Sequence, residues 1–170
     1  MPLGYRKFWQ GTQRVSDSSI LGSRTINNLR VESSYDLDSQ TVTFSTSMKS
    51  FTYNGITHVL QISFVDVTPD QIIQDDLDAN RDRNNGQIIP IPILYKNNMK
   101  VRCSCPSFRF TGSEAAINYS AFIGRNYTPW IPRKTDRPPR NPRNIPILCK
   151  HLITFITYLV DNRYVVTHHL

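Results

Sequence analysis

The chain has 170 residues, a formal charge of +7 and an isoelectric point near 9.5, which gives one domain, or one domain with arms. No stretch approaches the roughly 20 apolar residues of a membrane helix; residues 152–160 come nearest. The basic balance suits an acidic partner, although charge alone is a weak functional cue.

The start, Met1-Pro-Leu-Gly-Tyr-Arg-Lys-Phe-Trp, lacks the apolar core of a signal peptide. Three cysteines, an odd number with no export signal, argue against a disulfide framework and fit reduced thiols in a cytosol. Eleven prolines and seven glycines point to loops and extended arms. Charge is unevenly spread. Residues 125–143 hold Arg125, Arg133, Lys134, Arg137, Arg140 and Arg143 against one acid, Asp136, whereas residues 66–82 hold six aspartates.

Residues 1–40 are irregular and polar and read as an extended arm with one strand near Leu29–Val31. The next unit, 41–98, opens on the clearest β pattern. Val42, Phe44, Thr46 and Met48 alternate with Thr and Ser, and Ile56, His58, Leu60, Ile62 and Phe64 alternate in turn. Asn54-Gly55 between them is a strong hairpin signal. A two-residue turn there sets Tyr53 opposite Ile56 and Phe51 opposite His58. His58 then falls on the apolar face and reads as a core histidine. Thr68-Pro-Asp-Gln71 reads as a helix start with a capping box, followed by about two turns through Ile72, Ile73 and Leu77. Asp76-x-Asp78-x-Asn80-x-Asp82 has the alternate oxygen ligands of a calcium loop. Arg81 stands where such a loop needs glycine and Gln87 where it needs a bidentate Glu, so a solvated helix end is the default.

Residues 88–95 look extended, and Pro90 and Pro92 restrict them to an edge strand. Met99–Cys105 forms a second strand, and the two are expected to pair as a hairpin. The third unit, 99–170, carries this strand, a short helix at Ser113–Phe122 and a Pro- and Arg-rich insertion over 124–146. It then carries the best helix in the chain, in which Leu148, Leu152, Phe155, Ile156 and Leu159 make a broad apolar face. A short strand at Tyr164–Thr167 follows. His168 and His169 read as surface residues. The fold class is α+β.

All three cysteines fall in one pattern, Cys103-Ser-Cys105 followed by Cys149-Lys-His151. Strand side chains alternate, so Cys103 and Cys105 share a side. Within a helix, Cys149 and His151 would point about 200° apart, so they can share an ion only if Cys149 stands at or just before the helix start. Cys₃His is a common tetrahedral zinc set with no position left for substrate. An unmetallated core and an iron or redox centre are the alternatives.

The order C-x-C…C-x-H, with Val101-Arg-Cys-Ser-Cys-Pro and Cys149-Lys-His-Leu, resembles the SWIM zinc finger, a ββα unit. The resemblance covers residues 99–160 at most and implies Cys103, Cys105, Cys149 and His151 as zinc ligands. The 43 residues between Cys105 and Cys149 exceed the usual spacing, which puts that family's nucleic-acid role in doubt. Cys105-Pro-Ser-Phe-Arg-Phe, the Arg-Asn-Pro run and Cys149-Lys-His-Leu also resemble small structural proteins of tailed bacteriophage, in which the first stretch usually reads Cys-Pro-Asp-Phe. That resemblance implies a virion protein of the tail, baseplate or neck, assembled in the host cytoplasm among other virion structural proteins.

No nucleophile motif, phosphate loop or dinucleotide fingerprint is present, so an enzyme with a small-molecule substrate is not expected. Arg133, Lys134, Arg137, Arg140 and Arg143, with Tyr127 and Trp130 nearby, form a candidate surface for docking a protein or, as the alternative function, nucleic acid.

Overall fold

Period-two alternation places β-strands where one face can be buried. In the computed structural model, which describes residues 3–15, 26, 28–51, 54–124 and 145–168, four strands obey it. They are β1 (Glu32–Asp36), β2 (Thr41–Lys49), β3 (Thr57–Val65) and β4 (Asn98–Cys103). They form one antiparallel sheet in the order β1-β2-β3-β4. Cross-strand rows Val42–Phe64–Met99, Phe44–Ile62–Val101 and Thr46–Leu60–Cys103 line one face, and every member is buried. The other face carries Ser45, Ser47, Gln61, Lys100 and Arg102, and Val59 there is 52% exposed. The fold is mixed α+β, as expected.

Among the described residues are five α-helices: α1 (Tyr5–Val15), α2 (Leu77–Arg83), α3 (Pro106–Thr111), α4 (Ser113–Asn118) and α5 (Lys150–Asp161). α5 lays Leu152, Phe155, Ile156 and Leu159 into the core formed with β3 and β4. None of the helices described is long and apolar enough to cross a membrane.

The N-terminal arm expected over 1–40 instead contains an eleven-residue helix, and its strand lies at Glu32–Asp36 rather than 29–31. Helix α1 is fixed by an inner face of Phe8, Gly11 and Thr12. A Cβ on Gly11 would sit 1.9 Å from the Pro146 carbonyl oxygen, so only glycine lets α1 seat against the 145–146 backbone. Thr12 Oγ1 donates to Phe8 O and accepts from Leu148 N, both at 2.8 Å.

The β2–β3 register also differs. Met48, not Phe51, faces His58, and Ser50 N donates to Ile56 O. The connection is therefore longer than two residues, although Gly55 adopts the left-handed φ of 81° that a turn there requires. Tyr53 lies outside the described residues.

Helix formation after Thr68 is delayed. Gln71 Oε1 does accept from Thr68 N, but the chain turns and becomes helical only at a 3₁₀ turn, Gln74–Asp76, that runs into α2. The Ser113–Phe122 helix appears as α4, preceded by α3.

The hairpin expected between 88–95 and 99–105 does not form, because β4 pairs with β3. Pro90 and Pro92 have no N–H to give a ladder. Side chains and single backbone bonds hold the segment instead: Ile91 N donates to Gln71 O, Ile93 N to Asn97 Oδ1, and Leu94 N to Val166 O. The last of these is part of an isolated bridge where a strand at 164–167 was expected.

The outer edge of β4 is occupied. Met99 N donates to Leu3 O at 2.7 Å and Val101 N to Ala121 O at 2.8 Å.

Candidate metal centre

The C-x-C pair straddles the end of a strand and the start of a helix. Cys103 is the last residue of β4, and Cys105 is the N-cap of α3, with Pro106 at the first helical position. Cys105 Sγ accepts from Phe108 N at 3.3 Å. Ser104 pins the bend to the sheet: its N donates to Val59 O, and its Oγ accepts from Val59 N at 2.9 Å. Nothing in the residue types marked Ser104 for this role beforehand.

Cys149 is the N-cap of α5, in extended backbone, and His151 lies in the first turn. This is the helix boundary that a shared ion demands. The Sγ atoms of Cys103, Cys105 and Cys149 and a ring nitrogen of His151 lie within 4.8 Å of one another, and all four residues are buried. Bonds of about 2.0–2.3 Å in a tetrahedron put ligand atoms about 3.3–3.8 Å apart, so a small contraction closes the set on one ion.

Protonation of the cluster fits a cation. Burial pushes the Cys149 thiol far up. Cys103 is raised to about 12, chiefly by its hydrogen bond to Cys105. Cys105 is held far below the thiol range by the hydrogen bond from Cys103, with Cys149 and the Phe108 N–H adding to it. The hydrogen bonds among the three side chains thus favour a thiolate at Cys105 over one at Cys103 or Cys149. A divalent cation would replace the shared protons.

His151 supplies the sharper test of fit. Both its ring nitrogens are buried, and although the ring adds to the lowering of the Cys105 thiol, neither nitrogen reaches ordinary hydrogen-bond geometry with a partner. An orphaned buried imidazole N–H or lone pair costs about 1–3 kcal/mol, and a metal bond removes one of the two deficits. The ring is clamped by Phe51, stacked at 4.7 Å and 7°, and by His58, edge-on at 4.7 Å. His58 is 5% exposed, and burial, followed by the neighbouring His151, lowers its pKa. The expectation of a core histidine for His58 therefore holds. Its position beside the cluster was not legible, because it depends on the strand register.

The remaining candidates fall elsewhere. Arg133, Lys134, Arg137, Arg140, Arg143, Tyr127, Trp130 and His169 lie outside the described residues. The aspartate-rich segment is built as structure. Buried Asn80 donates from Nδ2 to Ile89 O at 2.8 Å and accepts from Ile89 N at 3.0 Å, and Asp76 pairs with Arg83. His168 lies against the Tyr95 ring.

The chain matches no protein-family model, no curated protein and no solved structure. The case for the site is its own geometry and chemistry: a buried Cys₃His cluster that could hold a metal ion.

Proposed function

We propose that Cys103, Cys105, Cys149 and His151 hold one zinc ion in a SWIM-like ligand order. The ion would be a structural knot in a non-enzymatic assembly protein of a tailed-phage particle. The observation that carries the knot is the convergence of three thiols and an unpartnered imidazole in one buried cluster. Soft thiolates with one imidazole favour zinc over hard cations such as calcium or magnesium. Four protein ligands fill a tetrahedron and leave no position for substrate or water, which supports a structural rather than a catalytic role. The virion role rests on the sequence resemblance around Cys105 and Cys149.

Elemental mass spectrometry on protein purified without added metal or a histidine tag tests the knot. One zinc per chain, lost in Cys149→Ser, is expected. One iron in its place overturns zinc, and no metal in the folded protein overturns the site. Peptide mass spectrometry of purified phage particles tests the virion role. A fixed copy number per particle supports it, and absence from intact particles refutes it.

A further inference from the structure

Helix α1 turns a second face outward. Phe8, Gly11 and Thr12 point into the core, Tyr5 and Trp9, one turn apart, are half-buried along its margin, and Arg6, Gln10 and Gln13 are exposed beyond them. Together with Tyr95 these residues line an open groove of about 440 Å³. Tyr5 and Trp9 stack with centroids 6.1 Å apart, and Tyr95 tilts against Tyr5 at 5.9 Å. Arg6 lies over the Tyr95 ring at 5.2 Å. Among the described residues no carboxylate pairs with Arg6, and Tyr95 is 41% exposed.

We propose that this groove binds single-stranded nucleic acid, with a base entering beside Tyr95 and Trp9. Three features of the groove favour that ligand. Its lining has one cation, Arg6, with aromatics and side-chain amides and no acid. Helix α1 presents Arg6 and Lys7, both exposed, and its sequence has no Asp or Glu, so its field favours a polyanion. Arg6 lies over the Tyr95 ring and His168 tilts against that ring at 5.6 Å, so a base would stack on the arginine plane or displace it from the ring, while the amides of Gln10 and Gln13 can meet base edges. This inference does not depend on the metal centre.

The test uses the full chain as purified, carrying Trp130→Phe, so that Trp9 is the sole tryptophan, and a 20-nucleotide oligothymidylate at low and moderate salt. The oligonucleotide is expected to quench Trp9 fluorescence, with affinity that falls steeply as salt rises. Tyr95→Ala and Arg6→Glu are each expected to weaken binding about tenfold, toward the lower end of what one stacked base contributes. Their circular dichroism and melting should match the parent. The triple variant Arg137→Glu/Arg140→Glu/Arg143→Glu separates the groove from the basic segment: quenching of Trp9 should persist in it. Three results would overturn the proposal. One is binding without any change at Trp9, another is undiminished affinity in Tyr95→Ala and Arg6→Glu, and the last is quenching by a proline-rich peptide but not by the oligonucleotide.

Discussion

Cys149→Ser separates the metal from every other role of that residue. Cys149 begins α5 in extended backbone (φ −77°, ψ 163°), and its side chain caps no backbone N–H. Serine is close in size and is among the best N-caps, so by itself the change leaves α5 unharmed or slightly steadier. The loss to be read is therefore the loss of the staple. With 43 residues between Cys105 and Cys149, the cross-link entropy relation gives about 4 kcal/mol for holding the two ends together. At about 2–4 °C per kcal/mol for a chain of this size, that is a Tm change of about 8–16 °C. Scanning calorimetry on wild type and variant, each with excess zinc and with chelator, gives four melts. Zinc-loaded wild type should stand alone at the top, and the other three should cluster within about 2 °C, the spread expected of a near-neutral substitution. The reasoning is refuted if the zinc-loaded variant melts with the zinc-loaded wild type, or if chelator leaves the wild type unmoved.

Four further outcomes are expected. Zinc uptake at pH 7 should release protons, because the Cys103 and Cys149 thiols are raised and would bind the ion as thiolates; uptake with no proton release in an indicator-dye titration would deny thiolate ligation. Gly11→Ala should destabilise by about 1–3 kcal/mol in urea unfolding, since overpacking outweighs the helix-propensity gain of about 1 kcal/mol; a stabilised variant would mean that α1 does not seat on Pro146. Asn80→Ala leaves Ile89 N and O unpaired and should cost about 2–5 kcal/mol, while calcium should leave the wild-type melt in place; a calcium-induced rise would restore the loop reading. Tyr5 is raised to about 12 by burial and then by Tyr95. The unfolded phenol ionises from about pH 10, so this contribution is intact below pH 10 and is lost as pH climbs to 12. Tyr5→Phe should flatten the stability loss in that window, and an unchanged slope would contradict the assignment.

The legible parts of the fold were those whose cause is local. Alternation from Val42 to Phe64 gave β2 and β3, and a run of apolar residues at helical spacing gave α5. The Cys₃His cluster was readable from residue type, and the need for Cys149 to stand at a helix start followed from helix geometry alone. What stayed hidden depends on distant partners. The inner face of α1 includes glycine and threonine, poor helix formers, and becomes an inner face only because residues 145–148 lie against it. β4 pairs with β3 across residues 66–97, a choice that leaves no mark in either strand's own pattern. Phe51 and His58 reach His151 only through that sheet and the docking of α5 on it. Ser104, a single polar residue between two cysteines, reveals its role only when Val59 is beside it.

The route by which the four residues of the cluster meet has a kinetic consequence. Strands β1, β2 and β3 follow one another through short connections, whereas β4 arrives only after residues 66–97 and Cys149 only after a further long excursion. Closing such long loops costs entropy before any contact rewards it, so the cluster is expected to be completed late, after the barrier to folding is crossed. An interaction absent from the transition state changes the rate of unfolding and leaves the rate of folding nearly untouched. In stopped-flow measurements across urea, zinc should lower the unfolding limb of the chevron while the refolding limbs with and without metal overlay. The ion would then act on how long a folded copy lasts rather than on how quickly one is made.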